Sequence, residues 1–250
     1  MSGTVYLVGA GPGAPDLLTL RAARLLGAAD IVLHDALVHP GTLELAVKAV
    51  KVAVGKRCGR HSSAQRFINK RLVDAARRHA VVVRLKGGDP MLFGRAQEEI
   101  DHLRASGIVV EVVPGVTAAC AASAELGASL TQRGVARSVA FVTPRVGAGE
   151  SDSQWARAAA AADTVVLYMA AGEACAVRDA LIAAGMPAQL PAAVVESASL
   201  ETSQARLGTV AQLESLLDGR GDGPVVMVLG RAMAKMRRAG RVLQQAGARQ

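Results

Sequence analysis

The sequence predicts an α/β protein of two domains, and three observations carry that prediction. Short apolar, β-branched runs alternate with amphipathic helical patterns along the chain. Apolar residues make up 51% of the 250 residues but aromatics only 2%, so the core must be built from Val, Leu, Ile and Ala. Pro114-Gly115 then interrupts the alternation, which resumes beyond it, placing one domain at residues 1–114 and a second at 115–250.

Each element has its own signal. In the first domain Val5–Val8, Ile31–Leu33, Val50–Val54, Val81–Leu85 and Val109–Val113 are apolar runs without polar alternation. Strands buried on both faces of a parallel sheet read this way. In residues 63–78, Ala64, Ile68, Leu72, Ala75 and Ala76 form one stripe, with Arg66, Lys70, Arg77 and Arg78 mostly off it, so a surface helix is expected. Asp89-Pro90 reads as an N-cap with proline at the first helical position, and a helix is expected from about Met91. Thr117 is placed to cap an alanine-rich helix. The second domain's strands are Val139–Val142, Thr164–Met169, Ala192–Val195, about Gln204–Thr209 and Val225–Leu229. Gly147–Ser153 reads as a loop and Ala158–Ala162 as part of a helix, and no short tandem repeat is present.

The net charge of +8 is uneven: residues 1–114 hold 16 basic residues against 10 acidic ones, and residues 115–250 hold 13 against 11. From Lys48 to Lys86 there are 12 basic residues and one acid, Asp74. Such a stretch either draws an anionic partner or forms a solvated basic helix face. No apolar run approaches the ~18–20 residues that span a bilayer, so no membrane partner is expected. The N-terminus enters a strand pattern with no basic, then apolar, leader, and no signal peptide is expected. Cys58, Cys120 and Cys175 are odd in number and far apart, which fits a reducing cytoplasm. His34, His39, His61, His79 and His102 make no zinc-binding spacing, Cys58-x-x-His61 being isolated, so no metal is expected. No G-x-S-x-G offers a serine nucleophile. Tyr6, Tyr168 and Trp155 are too sparse to stack bases, and nucleic acid is not an expected partner.

Three strand ends carry the chemistry. Gly9-Ala10-Gly11-Pro12-Gly13-Ala14 fits the dinucleotide pattern G-x-G-x-x-A, with Asp35 at roughly the ribose distance. Pro12, however, removes an N–H where a phosphate cradle needs donors. What the glycines establish is close backbone approach, to a ligand or to a neighbouring turn. Arg84-Leu85-Lys86-Gly87-Gly88-Asp89-Pro90 ends the fourth strand, and ligands of open α/β sheets bind beyond the carboxyl ends of strands. Asp89 is either a helix cap or an acceptor for a ligand's hydroxyl or amine. Arg95, Glu98 and Glu99 share a helix face by spacing, either salt-bridged in solvent or with Arg95 gripping a carboxylate. Pro114–Ala119 again sets a turn and a helix N-terminus at a strand end, where N–H groups point outward.

Six stretches occur in order: GAGPGAPDLLTL (9–20), VGKRCGRHSSAQ (54–65), VVRLKGGDPMLFGR (82–95), VVPGVTAA (112–119), TVVLYM (164–169) and PAAVVES (191–197). Together they resemble the uroporphyrinogen-III C-methyltransferases of the tetrapyrrole methylase family, and the resemblance covers almost the whole chain. It implies two α/β domains with the active site in the cleft between them. It also implies S-adenosylmethionine as methyl donor, S-adenosylhomocysteine as its product, a tetrapyrrole substrate and a homodimer.

Pro12, Gly87, Gly88, Asp89, Leu92, Thr117, Ala118, Met169 and Ala198 match positions that hold the methyl donor in that family. Arg95, Glu98 and Arg133 match positions that hold the tetrapyrrole or assist its chemistry, and Met169 is expected to touch the substrate as well. Asp35 and Lys56 match positions proposed as proton acceptor and donor. The implied reaction is methylation of uroporphyrinogen III to precorrin-2 through precorrin-1, in sirohaem or cobalamin biosynthesis. The alternatives are methylation of a later precorrin, or a non-enzymatic basic protein that binds a tetrapyrrole or nucleic acid. Departures fall mostly where the substrate would sit. Ala36 stands where the family usually has Arg, Ala96-Gln97 where it has Gly-Gly, and Gln132-Arg133-Gly134-Val135 where it has His-Arg-Asp-Tyr.

Overall fold

A computed structural model describes residues 2–55, 65–146 and 153–235. The chain divides into two compact units, Met1–Ala118 and Ala119–Gln250. Unit 1 runs β1 (Thr4–Gly9), α1 (Leu20–Ala28), β2 (Ile31–His34), α2 (Pro40–Glu44), β3 (Val50–Ala53), α3 (Gln65–Ala76), β4 (Val81–Lys86), α4 (Ala96–Ala105) and β5 (Val110–Val113). Its five strands form one sheet in the order β3-β2-β4-β1-β5. Every pairing is parallel. Side chains alternate across each strand. Val5, Leu7, Leu33 and Val82 face a core shared with Leu72 of α3 and Ile100 and Leu103 of α4. Val8, Val32, Val83 and Leu85 face the opposite core, shared with Ala22 and Leu26 of α1. Each fully buried leucine contributes roughly 2 kcal/mol. A slip of one residue in β4 would carry its two basic side chains to the wrong face, so this register is strongly specified.

Helix α5 (Ala118–Glu125) starts at the last residue of unit 1 and continues into unit 2, which then runs β6 (Val139–Val142), α6 (Trp155–Ala160), β7 (Thr164–Tyr168), α7 (Ala174–Ala183), β8 (Pro191–Glu196), β9 (Gln204–Thr209) and β10 (Val225–Gly230). Its sheet has the order β6-β7-β10-β8-β9. Only β6 and β7 pair in parallel; β10 runs antiparallel to both β7 and β8, and β8 antiparallel to β9. The seven residues between β8 and β9 are too few for the crossover that a parallel pair needs. One face packs Val165, Leu167, Val194 and Met227 with Ala159 of α6 and Val177 and Leu181 of α7.

Several expected boundaries move. The strand expected to reach Met169 stops at Tyr168, because Met169 takes φ 57°. The helix expected from Met91 starts at Ala96. Phe93 (φ 53°) and Arg95 (φ 54°) are left-handed, and a right-handed helix cannot pass through them. Asp89-Pro90 therefore opens a loop, not a helix. The stripe on α3 buries Ile68, Leu72, Ala75 and Ala76. Ala64, Lys56, Cys58, His61 and residues 147–152 lie outside the described residues. Among the described residues, no helix is long and apolar enough to cross a membrane.

Candidate active site

In unit 1 the carboxyl ends of β1, β4 and β5 meet through bare backbone. Ala10 donates its N–H to the Lys86 carbonyl at 2.7 Å. Gly11 and Gly88 then exchange two hydrogen bonds, of 3.2 and 2.7 Å. Their φ values, 74° and 66°, suit glycine and penalise other residues. Gly9 and Gly115 approach closer still. A Cβ on Gly9 would lie 2.6 Å from the Gly115 Cα, and one on Gly115 would lie 2.3 Å from the Gly88 carbonyl oxygen. Asp89 ties two of these turns together: Oδ1 accepts from the Met91 N–H at 2.8 Å and Oδ2 from the Gly115 N–H at 3.0 Å.

Pro12, Gly87, Gly88, Asp89, Leu92, Thr117 and Ala118 are half-buried along these segments, so a ligand can reach them. Among the described residues nothing lies within 4 Å of where a Gly88 side chain would stand. The Gly88 position is thus open, with its backbone half-buried and free of a crowding side chain. The cradle does not suit a dinucleotide: α1 begins only at Leu20, capped by Thr19, whose Oγ1 accepts from the Ala22 N–H at 3.2 Å. The fingerprint needs that helix to open inside the glycine loop.

Beneath the cradle lies a charged network that the sequence reading missed. Arg84 and Lys86 sit two apart on β4, share a face and are 2% and 4% exposed. Between them stands Glu99 of α4, fully buried. Its Oε1 accepts from Arg84 Nε and Lys86 Nζ, each at 3.1 Å, and its Oε2 from Lys86 Nζ at 3.1 Å. Burial pushes the Lys86 ammonium below its ordinary value, and the Arg84 charge adds to that, while Glu99 pulls the other way. Arg84 also reaches Asp35, just beyond β2, with NH2 to Oδ1 at 2.6 Å. Two cations on one face of an otherwise apolar strand were the available signal, since a buried charge demands a partner.

Arg95, Glu98 and Glu99 do not share a face. Arg95 stands at the N-cap of α4 and grips Glu98 bidentately, Nε to Oε1 at 2.7 Å and NH2 to Oε2 at 2.8 Å, both side chains about half exposed. The hydrogen bond from Arg95 holds the Glu98 carboxyl below the usual range. Glu99 points into the core because successive helical residues are about 100° apart.

Unit 2 carries its own set. Met169 follows β7, and Ser197, Ala198 and Ser199 follow β8. Both strands run antiparallel to β10, with Tyr168 opposite Val226 and Glu196 opposite Val225, so these ends lie side by side. Ser197 (φ 53°) and Ser199 (φ 75°) are left-handed, with Ala198 buried between them. Glu125, at the end of α5, holds the segment by accepting from the Ser199 N–H and from Ser203 Oγ at 2.6 Å. The Tyr168 hydroxyl accepts from the Ala119 N–H of α5 at 3.2 Å. Arg133 stands exposed on a tight turn closed by hydrogen bonds of 2.9 and 2.8 Å between Gln132 and Ala136. Nothing local in the sequence marks Glu125, whose partners lie more than 70 residues away.

Non-glycine residues with left-handed backbone, where described, all follow strand ends: Phe93 and Arg95 after β4, Met169 after β7, and Ser197 and Ser199 after β8. Strain of this kind persists only where surrounding structure enforces it, and it concentrates at functional sites.

A family model for tetrapyrrole (corrin/porphyrin) methylases matches residues 4–214. A siroheme synthase from Pseudomonas fluorescens (strain Pf0-1) is 45% identical over 231 residues, 92% of this chain and 50% of that protein. The chain spans about half the length of the siroheme synthases it matches. A solved uroporphyrin-III C-methyl transferase from Thermus thermophilus, complexed with S-adenosyl homocysteine, is 39% identical with a TM-score of 0.82, covering 93% of this chain and 99% of that one. A cobalt precorrin-4 methyltransferase is 27% identical with a TM-score of 0.78, covering 92% of this chain and 95% of that one.

Proposed function

The chain belongs to the tetrapyrrole (corrin/porphyrin) methylases, and from that premise we propose that it methylates uroporphyrinogen III to precorrin-2, through precorrin-1. The donor is S-adenosylmethionine, which supplies a methyl group already activated on a sulfonium. The observation that carries the reading is the junction of three bare backbone turns at the ends of β1, β4 and β5. Pro12, Gly87, Gly88, Asp89, Leu92, Thr117 and Ala118 are assigned to the donor at that junction. Met169 and Ala198 are assigned to it by their motifs, with Met169 also against the substrate.

The protein's task is alignment, since a reduced pyrrole carbon is itself a nucleophile and needs the methyl in line at roughly 3–3.5 Å. Arg95 and Arg133 are assigned to substrate carboxylates, which guanidinium groups hold bidentately. Glu98 orients Arg95 through their paired hydrogen bonds. Asp35 takes the proton that the ring system releases after methylation, and Lys56 is assigned as proton donor. The basic first half favours approach of a polyanion. A homodimer in the cytoplasm completes the proposal, and sedimentation of the purified chain tests the dimer.

Incubation of the chain with uroporphyrinogen III and S-adenosylmethionine, followed by mass analysis, tests the function. A gain of one or two methyl groups is expected, and unmodified substrate overturns it. Ala36, Ala96, Gln97 and the Gln132–Val135 turn depart from the family pattern and favour one rival, a later precorrin as substrate. Faster methylation of such a precorrin in the same assay would transfer the assignment.

A further inference from the structure

Apart from Asp35, the buried network under the cradle has so far no part in the chemistry. Taking ions out of water costs several kcal/mol each, and apolar residues would join β4 to α4 at lower cost. The arrangement around Arg84 is more directed than such a joint requires. Its Nε donates to Glu99, NH1 to the carbonyls of Leu33 (3.5 Å) and Leu85 (3.2 Å), and NH2 to Asp35 at 2.6 Å. The guanidinium plane is thereby fixed from β2, β4 and α4 together.

Glu99 is fixed in its turn, by Lys86 on both oxygens and by Gln65 Nε2 of α3 at 3.1 Å, which also bonds Asn69 Oδ1 at 3.1 Å. Of the carboxylates in this network, Asp35 is the one with solvent access, its side chain 28% exposed against none for Glu99. The chain of contacts runs from two core helices to a single reachable carboxylate.

We infer that Arg84 is a positioning residue for methyl transfer: held by Glu99 and two strand carbonyls, it orients the Asp35 carboxylate as proton acceptor. The inference rests on the reading of Asp35 given above. Lysine cannot replace it, because a single ammonium lacks the planar fork that reaches Glu99 and Asp35 at once.

The test is a double-mutant cycle on the full chain, with uroporphyrinogen III and S-adenosylmethionine as substrates. Asp35→Asn is expected to lower kcat roughly a hundredfold. Arg84→Lys is expected to lower kcat roughly tenfold or more through displaced geometry, with KM for the donor within about twofold. The double variant is expected to be no slower than Asp35→Asn alone, within about twofold, because Arg84 acts through Asp35. A residue that merely held the fold together would lower the rate in both backgrounds. Should Arg84→Lys fail to fold, the isosteric Glu99→Gln enters the same cycle with the same expected pattern.

Unchanged kcat in Arg84→Lys, or effects that multiply in the double variant, would overturn the inference while leaving Asp35 as acceptor. A normal rate in Asp35→Asn would remove the acceptor and the inference together. Absence of product from the unmodified chain would instead overturn the proposed function.

Discussion

The cradle of unit 1 and the paired strand ends of unit 2 turn their backbone sharply by different means, although the loop between β4 and α4 in unit 1 also carries left-handed Phe93 and Arg95. Unit 1 builds its cradle from glycine: Gly11 and Gly88 take left-handed φ without penalty, and Gly9 and Gly115 touch where any side chain would collide. Unit 2 places Met169, Ser197 and Ser199 in the same region of φ. Each such residue costs roughly 1–2 kcal/mol. The compensation is tertiary, with Glu125 holding the segment after β8 from another element. Asp89 does related work in unit 1, but it binds turns that glycine already permits. A turn can thus be written into local residue types or imposed by a distant partner, and only the first kind is open to reading.

The largest expected effect tests what lies beneath unit 1. Glu99→Ala leaves Arg84 and Lys86 buried without their shared counter-ion and should cost about 4 kcal/mol, read from the urea midpoint. A loss under about 1 kcal/mol would show that the network bears little of that unit's stability. Next, Gly115→Ala drives a methyl into the Gly88 carbonyl and should cost about 3 kcal/mol and abolish donor binding. Unaltered affinity in a calorimetric titration would mean that donor binding does not depend on this junction. In unit 2, Glu125→Gln keeps the shape but loses the charge that holds Ser199 and Ser203. It should cost about 1.5 kcal/mol and raise the donor KM several-fold, and an unchanged KM would place the support of that corner elsewhere.

Met169→Gly sharpens the contrast most directly. Relief of the left-handed strain should raise stability by about 1 kcal/mol while donor binding weakens, so a lower melting temperature would show that the corner is not strained. The smallest effect is a pH slope. Burial lowers the Lys86 pKa below its ordinary 10.5, so the unfolded chain holds this proton to higher pH than the folded one. Stability should therefore rise with pH between the lowered folded value and 10.5. Lys86→Met should flatten that alkaline rise, and identical slopes in parent and variant would contradict it.

Legibility followed the same division. The strands of unit 1 and the stripe on α3 were readable because two-sided burial leaves unbroken apolar runs and an apolar helix face. The clustering of glycine at strand ends was readable too. The helix start at Met91 was misread because Asp89-Pro90 looks locally like a cap, whereas its carboxylate serves Met91 and Gly115. The grouping of Glu99 with Arg95 failed for a similar reason: spacing puts Glu99 near that face, but the two cations on β4 draw it inward. In unit 2 the strands were found, yet the antiparallel placing of β10 between β7 and β8 was not, because apolar runs carry no sign of direction.

The sequence by itself determined the α/β class, the strand segments, the apolar stripe of α3, the family, and the points where glycine lets backbone meet backbone. These follow from periodicity, composition and residue type, which act over a few positions. Only the tertiary structure decided that Asp89 links two turns, that Arg84 joins Asp35 to Glu99, and that Glu125 commands a loop more than 70 residues away. Those outcomes depend on which charged groups are buried together. That depends on the packing of whole elements, which no local pattern encodes.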